Sequence, residues 1–206
     1  KAGKFFPMIG GDHAGTIPVH RGINRAVDED FGIIHIDAHF DLCHEMHGDT
    51  LSHGSTERRA TELSHVGDSD HLYFLGIRSI ESDELDFYHS NKVNVLSAAE
   101  IDHQGVPAVL EQVVGHMKRF SKVYITLDID CLDPAYAAGT GTPQFGGLTA
   151  RQLLNILKGL FDGLNIIGMD VVEVAPKLDP SLAALFAARK IVTECWAHHY
   201  FKNLNP

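Results

Sequence analysis

Cysteine is scarce in this 206-residue sequence, which contains only Cys43, Cys131 and Cys195. An odd number of thiols cannot pair completely within one chain, and no two of them have the CxxC spacing of a zinc knuckle. The sequence therefore supports neither a disulfide scaffold nor a thiolate metal site. We expect the chain to work in a reducing compartment, the cytoplasm.

Basic charge and long apolar runs are also in short supply. Lys and Arg number 17 against 27 Asp and Glu, for a net charge of -10, which disfavours nucleic acid as a partner and fits a cationic ligand or a metal better. No apolar run has the length of a membrane span, so we expect a soluble protein with no membrane partner. The sequence is instead rich in His, with 14 copies of the commonest metal-ligating side chain.

Short apolar runs alternate with amphipathic stretches along the whole chain. The runs predict strands at 5–10, 31–37, 72–78, 93–97, 123–128 and 166–173, and the stretches predict helices at 14–29, 106–119, 150–162 and 181–196. Because the strand runs are continuously apolar, they indicate a mainly parallel sheet between helices, a three-layer α/β/α fold. No repeat, low-complexity tract or linker divides the chain, which predicts a single domain over residues 1–206.

Polar clusters follow four of these strands. In open parallel sheets, ligands bind beyond the carboxyl ends of the strands. The clusters at those ends are GGDH at 10–13, DAHFD at 37–41, the pair Asp128 and Asp130, and Glu173. We therefore expect the four clusters to converge on one edge of the sheet.

The DAHFD run has the spacing of a metal-ligand set. Residues two apart in an extended segment point the same way, so Asp37, His39 and Asp41 can face a common point, as can the aspartates at 128 and 130. With His13 they make four carboxylates and two imidazoles, which suit hard or borderline divalent ions such as Mn²⁺. Six ligands exceed what one ion needs, which favours two ions bridged by shared aspartates. His35 shares the parity of Asp37, but we expect a hydrogen-bonded core histidine there.

Taken together, the motifs resemble those of the ureohydrolase family, which includes arginase and agmatinase. They are GGDH, DAHFD, SHGST around His53, DIDCLDPAYAAGTGTP at 128–143, GGLT at 146–149 and MDVVEVAP at 169–176. The similarity extends to about residue 196. It implies an arginase-like fold and a binuclear manganese hydrolase that cleaves a guanidino or amidino group.

The resemblance also implies a role for each site residue. It assigns one Mn²⁺ to His13, Asp37, Asp41 and Asp128, and the other to Asp37, His39, Asp128 and Asp130. Glu173 would pair with the substrate guanidinium, and His53 would shuttle protons or assist departure of the leaving group. A metal-bridging hydroxide would attack the guanidino carbon, and Asp41 would carry a proton to the departing amine.

Two segments of the sequence indicate which substrate the chain would cleave. The run at 128–143 is more similar to agmatinases than to arginases. The loop at 42–51 lacks the Asn/Ser-rich composition expected for binding an α-carboxylate and α-amine, and its Glu45 and Asp49 favour a cationic tail. We therefore predict a small cationic guanidino substrate, agmatine, cleaved to urea and an amine. Arginase, guanidinobutyrase and formiminoglutamase activities are the alternatives, and the resemblance implies a homo-oligomer, a trimer or hexamer.

The sequence departs from the family pattern at two points. Ala138 stands where agmatinases usually have Pro, and the chain begins one strand before GGDH, so we expect it to lack the family's usual N-terminal segment. Two other hypotheses stay open. One is a deacetylase that shares the arginase-like fold but holds a single zinc, and the other is a non-catalytic, truncated family member that acts as a binding or assembly partner.

Overall fold

The six apolar runs form one parallel sheet in the computed structural model, which describes residues 4–204. The strands are β1 Phe6–Ile9, β2 Gly32–Ile36, β3 Leu72–Ile77, β4 Asn94–Ser97, β5 Val123–Leu127 and β6 Ile166–Val171. All pairings are parallel, and the spatial order is β1-β6-β5-β2-β3-β4. Each strand lies within its predicted range, and the predicted α/β class is confirmed.

Helices connect the strands and cover both faces of the sheet. They are α1 Thr16–Ala26, α2 Thr56–Ala60, α3 Ser82–Ser90, α4 Ala98–Gln104, α5 Val106–Met117, α6 Ala150–Gly163 and α7 Ala183–Leu204. The sequence predicted α1, α5, α6 and α7 but missed the three between them. Among residues 4–204, no helix combines the length and the apolar character that a bilayer span requires.

Alternate side chains of the central strands enter two different cores. From β2, Ile34 and Ile36 pack with α4 to α7, whereas Ile33 packs on the other face with α1, α2 and α3. In β5, Ile125 and Tyr124 are divided in the same way. Burial on both faces explains why these strands are apolar without alternation and confirms the three-layer arrangement.

The site lies where the direction of the chain through the sheet reverses. From β2 the chain proceeds outward to β3 and β4, and it then returns to add β5 on the opposite side of β2. The loops after two such strands diverge and leave a crevice, which is the usual ligand position in open α/β sheets. The DAHFD run follows β2, and the pair Asp128 and Asp130 follows β5.

Candidate active site

His13 is oriented by a buried chain of hydrogen bonds. It begins a short 3₁₀ turn, His13–Gly15, beyond β1. Thr126 donates its hydroxyl proton to Asp170 Oδ1 at 2.7 Å, so its oxygen accepts from His13 Nε2, 2.8 Å away. In the neutral imidazole Nε2 would therefore carry the ring proton, which would leave the lone pair of Nδ1 available to a cation.

Three carboxylates surround this Nδ1 atom. The distances are 2.9 Å to Asp41 Oδ2, 3.2 Å to Asp37 Oδ2 and 3.5 Å to Asp128 Oδ2. Within residues 4–204, His13 Nδ1 and the Oδ2 atoms of Asp37 and Asp41 are buried without a hydrogen-bond partner. Buried polar atoms are rarely left unpaired in proteins, so this convergence of a nitrogen and carboxylate oxygens fits a divalent cation.

A second group of ligand atoms lies next to the first and shares Asp37 with it. His39 Nδ1 is 3.2 Å from Asp130 Oδ2 and 3.4 Å from Asp37 Oδ1. Asp37 therefore directs Oδ2 toward His13 and Oδ1 toward His39. Two groups with ligand atoms close enough to hold an ion are His13, His35 and Asp37, and Asp37, His39 and Asp130.

Local hydrogen bonds fix the two ligand loops. Asp37 Oδ1 accepts from the backbone N–H of His39 at 2.7 Å, and Asp128 Oδ1 accepts from that of Asp130 at 2.8 Å. Both are Asx-type turns, in which the aspartate binds its own backbone two residues on. Asp41 adopts a left-handed φ of 54°, and its carbonyl accepts from the N–H groups of Glu57 and Arg58.

Crowded carboxylates dominate the electrostatics. Burial, together with the charge of Asp37, raises the pKa of Asp130 to about 6 and holds the pKa of Asp128 well above its usual range. Burial opposes a charge on His39, but hydrogen bonds to Asp130 and Asp37 outweigh it and raise its pKa to about 11. These shifts indicate an excess of buried negative charge that positive charge must balance.

A cavity of about 310 Å³ opens onto the two groups of ligand atoms, and Glu173 and His53 also line it. Glu173 is half-buried with φ 60°, and its Oε1 accepts from the backbone N–H of His13 at 2.8 Å. Burial raises the pKa of the Glu173 carboxyl. His53 is exposed. All eight site residues predicted from the sequence thus lie in or directly beside one cavity.

The charged wall of the cavity differs from the sequence expectation. Glu45 and Asp49 do not line it, because a tight turn through His47 and Gly48, both at positive φ, leaves them exposed. The acidic residues that line it are Asp12, Asp41, Glu81, Glu84, Asp128 and Glu173. No Lys or Arg of the described chain belongs to its lining. The cavity therefore favours cations, but through other residues than the loop suggested.

Sequence reasoning missed several residues that hold the site. Thr126 and Asp170 orient His13, Thr142 donates to Asp130 Oδ2 at 3.3 Å, and Glu57 lies 3.2 Å from His35 Nδ1. Thr126 lies two residues before Asp128, so an extended β5 would point both side chains to the same side. This spacing could have indicated Thr126 from the sequence. The sequence carries no comparable signal for the other three, which are brought close only by the fold.

Comparison with known proteins places this geometry in a family. A model of the arginase family matches residues 1–197. The chain belongs to the arginase family. Among the curated members, agmatinases from Escherichia coli O7:K1 and Salmonella paratyphi B are each 40% identical over 199 residues, covering 94% of this chain and 59% of their own length. The chain thus spans about 59% of these arginase-family relatives.

Solved structures of the arginase family share the fold. A hypothetical agmatinase from Burkholderia thailandensis superposes with a TM-score of 0.85 at 35% identity, over 98% of this chain and 61% of its own. The proclavaminate amidino hydrolase of Streptomyces clavuligerus gives 0.86 at 32% identity, over 94% and 64%. An arginase from Bacillus subtilis gives 0.83 at 28% identity, over 94% and 72%.

Proposed function

We propose that this chain carries the active site of a manganese-dependent hydrolase that cleaves the guanidino group of agmatine to urea and an amine. The observation that carries the proposal is the convergence of three carboxylates on His13 Nδ1 and of two on His39 Nδ1, with Asp37 shared, beside a cavity with an acidic lining. Membership of the arginase family, and curated relatives named agmatinase, support the same reaction class.

Six residues would hold two Mn²⁺ ions. One ion would take His13, Asp37, Asp41 and Asp128, and the other Asp37, His39, Asp128 and Asp130. The first set is supported by the three carboxylates around His13 Nδ1, and the second by the contacts of His39 with Asp37 and Asp130. Bound divalent cations would supply Lewis acidity and make hydroxide available near neutral pH.

The chain's own residues orient the substrate and move the proton. Glu173, held by the His13 amide, would accept guanidinium N–H groups and balance their charge. Hydrolysis adds water to the guanidino carbon, and a proton must reach the departing nitrogen before the C–N bond breaks. Asp41, with an unpaired Oδ2 at the cavity wall, would carry that proton. His53, exposed at the cavity, would exchange protons with solvent.

The lining charge favours agmatine over the alternatives. Arginine, guanidinobutyrate and formiminoglutamate all carry a carboxylate. It would enter a cavity lined by Asp12 and Glu81, to which no Lys or Arg of residues 4–204 contributes. The distal amine of agmatine would instead be attracted by these side chains. Juxtaposed like charges penalise a wrong ligand more than complementary charges reward the right one.

Urea release from the Mn²⁺-loaded chain tests this specificity. We expect kcat/KM for agmatine to exceed that for arginine or guanidinobutyrate by on the order of 100-fold, equivalent to about 2.7 kcal/mol. Replacing Asp12→Asn and Glu81→Gln together should narrow that ratio. Asp128→Asn, which removes a shared ligand, is the inactive control. Preference for arginine would refute the substrate assignment, and no turnover of any guanidino compound would refute the enzyme.

Metal analysis separates the proposal from the single-zinc deacetylase. Elemental analysis of the purified, dialysed chain should give two Mn²⁺ per chain, and Asp130→Asn should lower that number. One Zn²⁺ per chain, with hydrolysis of acetyl-lysine peptides, would favour the deacetylase instead. A folded chain with neither metal nor turnover would favour the non-catalytic hypothesis.

Assembly and location complete the proposal. We assign the chain to a homo-oligomer, a trimer or hexamer, in the cytoplasm. The three cysteines are free and buried, which supports a reducing compartment. Light scattering on the purified protein, eluted from a size-exclusion column, would give the mass of the assembly. A monomeric mass at micromolar concentration would refute the oligomer.

A further inference from the structure

A buried histidine and glutamate lie behind the ligand loop and are not among the six proposed ligands. His35 in β2 and Glu57 in α2 are both 0% exposed. His35 Nδ1 lies 3.2 Å from Glu57 Oε1, and His35 Nε2 lies 3.0 Å from the carbonyl oxygen of His39. The ring thus connects the first turn of α2 to the middle of the ligand loop at 37–41.

The chemistry of the partners fixes the role of each ring nitrogen. A backbone carbonyl can only accept, so His35 Nε2 carries a hydrogen that it donates to His39. An ionised glutamate also only accepts, so Nδ1 donates to Glu57 as well, and a ring that donates from both nitrogens is an imidazolium. Nε2 is also 3.1 Å from Asp37 Oδ2, the oxygen directed toward His13. One imidazole therefore contacts two residues of the ligand loop while Glu57 fixes its orientation.

The same turn of α2 also forms hydrogen bonds with the backbone carbonyl groups of two proposed ligand residues. The N–H groups of Glu57 and Arg58 donate to the carbonyl of Asp41 at 3.0 and 3.1 Å, which supports its left-handed backbone. The Thr56 hydroxyl lies 3.1 Å from the carbonyl oxygen of His13, within hydrogen-bonding distance. Three successive residues of one short helix thus contact the two segments, at His13 and at 37–41, that carry four of the six proposed ligands.

We propose that Glu57 and His35 are positioning residues for the metal centre: Glu57 fixes the His35 ring, and that ring holds the 37–41 loop at the spacing that divalent cations require. This inference rests on the proposed metal site and extends it to a carboxylate that contacts none of the six ligand side chains. Side chains that orient ligands from behind typically account for about 10- to 100-fold in metal affinity.

Two substitutions at one position separate hydrogen bonding from volume. Glu57→Met keeps approximate size but removes the acceptor for His35 Nδ1, and we expect about 10- to 100-fold weaker Mn²⁺ binding by titration calorimetry. Glu57→Gln keeps an acceptor oxygen and should recover most of that affinity. Val113→Ala, in the core on the opposite face of the sheet, controls for general loss of stability and should leave Mn²⁺ affinity unchanged.

Hydrogen exchange on the metal-free chain supplies a readout that does not depend on metal. Backbone amides at 38–41 should exchange faster in E57M than in wild type or V113A. Should E57M fail to fold, Glu57→Asp retracts the carboxylate by one methylene and should weaken Mn²⁺ binding in the same direction.

Unchanged Mn²⁺ affinity in E57M, or in E57D if that variant is the one that folds, overturns the positioning role. Unchanged exchange at 38–41 overturns it too. If wild type itself binds no Mn²⁺, the proposed function fails, and the exchange comparison alone decides whether Glu57 holds the loop.

Discussion

At the scale of single residues, a hydroxyl determines which nitrogen of His13 faces the carboxylates. Because Thr126 donates its single hydroxyl proton to Asp170, it can only accept from His13 Nε2. Tyr124 and Thr16 also donate to Asp170, so this carboxylate accepts several hydrogen bonds and has a fixed position. The tautomer of His13 is therefore set by groups that contact no proposed metal position.

The substitution Thr126→Val tests that chain of bonds. Valine keeps the shape of the side chain but can neither accept from His13 nor donate to Asp170. We expect Mn²⁺ affinity, measured by titration calorimetry, to fall by about 10- to 100-fold. Thr126→Ser retains the hydroxyl and should bind nearly as wild type. Equal affinity in the valine and serine variants would contradict the role of the hydroxyl.

The residues predicted from the sequence and the residues missed differ in a physical way. Asp37, His39 and Asp41 were predicted from a period of two in an extended segment. The structure brings them together, but through an Asx turn at Asp37 and a left-handed backbone at Asp41 rather than through an extended strand. His35 was correctly predicted as a hydrogen-bonded core histidine. Asp170 and Glu57 act through residues distant in sequence, His13 and Thr126 for one and His35 for the other, so that spacing along the chain carries no information about these contacts.

At the scale of elements, the strands were predictable and the short helices were not. The strands are continuously apolar because both faces are buried, and that pattern is visible in the sequence. Helix α2 has only five residues, α3 is mostly polar, and Gly105 at φ 77° separates α4 from α5. Tertiary contacts rather than periodicity stabilise such helices. The missed α2 is also the helix that holds the ligand loop.

Close packing of α5 on α6 depends on a glycine. A Cβ at Gly163 would lie 2.8 and 3.0 Å from the two methyl groups of Val114, whose β-branched side chain cannot turn away. We expect Gly163→Ala to lower the free energy of unfolding by about 1–3 kcal/mol, measured by urea denaturation. Adding Val114→Ala should relieve the overlap, so that the two effects do not add.

A second glycine provides the control for that measurement. Gly115 lies in α5, and a Cβ added at this position would have no neighbouring atom within 4 Å apart from the backbone of its own helix. Gly115→Ala should therefore stabilise the chain by up to about 1 kcal/mol through helix propensity alone. If G163A also stabilises, then the close contact with Val114 does not constrain the interface between the two helices.

Asp70 links three elements and makes their contact depend on pH. It lies before β3, and its carboxylate contacts Arg119 at 2.9 Å beyond α5 and Lys92 at 3.1 Å before β4. Burial opposes the charge, but the Arg119 and Lys92 contacts outweigh it and hold the pKa of Asp70 well below its usual range. A carboxyl group whose pKa is lowered in the folded state stabilises that state above its unfolded pKa, near 4.

The stabilising contribution of Asp70 should therefore be fully present at neutral pH, begin to decline as the pH falls below about 4, and be lost as the pH passes through the lowered pKa of the folded state. We expect Asp70→Asn to lower the free energy of unfolding by about 1 kcal/mol at pH 7, and wild type and variant to converge in acid. Urea denaturation between pH 7 and pH 3 measures this. Asp162→Asn, which removes an exposed i,i+4 pair with Lys158, should have almost no effect. A constant difference across the pH range would refute the assignment.

At the scale of the whole molecule, the site exists only when the sheet is complete. Its proposed ligands come from the ends of β1, β2 and β5, and among residues 4–204 β1 pairs with β6 alone. The sequence predicted that polar clusters would converge at one edge, but it could not predict the strand order. That order depends on pairing between segments up to about 160 residues apart, such as Phe6 with Gly168.

Metal binding should consequently stabilise the folded chain as a whole. The unfolded chain cannot bring His13, Asp37 and Asp128 together, so a cation that binds them favours the folded state. The cation also neutralises the crowded carboxylates. Burial and the charges of Asp37 and Asp130 hold the pKa of Asp128 well above its usual range in the absence of a counter-charge. At a Mn²⁺ concentration of about 100 times Kd, the gain is about 2.7 kcal/mol.

For a chain of this length, that gain corresponds to a rise in Tm of roughly 5–10 °C. Thermal denaturation of the chelator-treated chain, with and without added Mn²⁺, measures it. Asp128→Asn should show a much smaller rise, because it removes a ligand proposed for both ions, whereas Asp162→Asn on the exposed face of α6 should respond as wild type. An equal rise in all three chains would mean that Mn²⁺ stabilises the protein elsewhere than between β2 and β5.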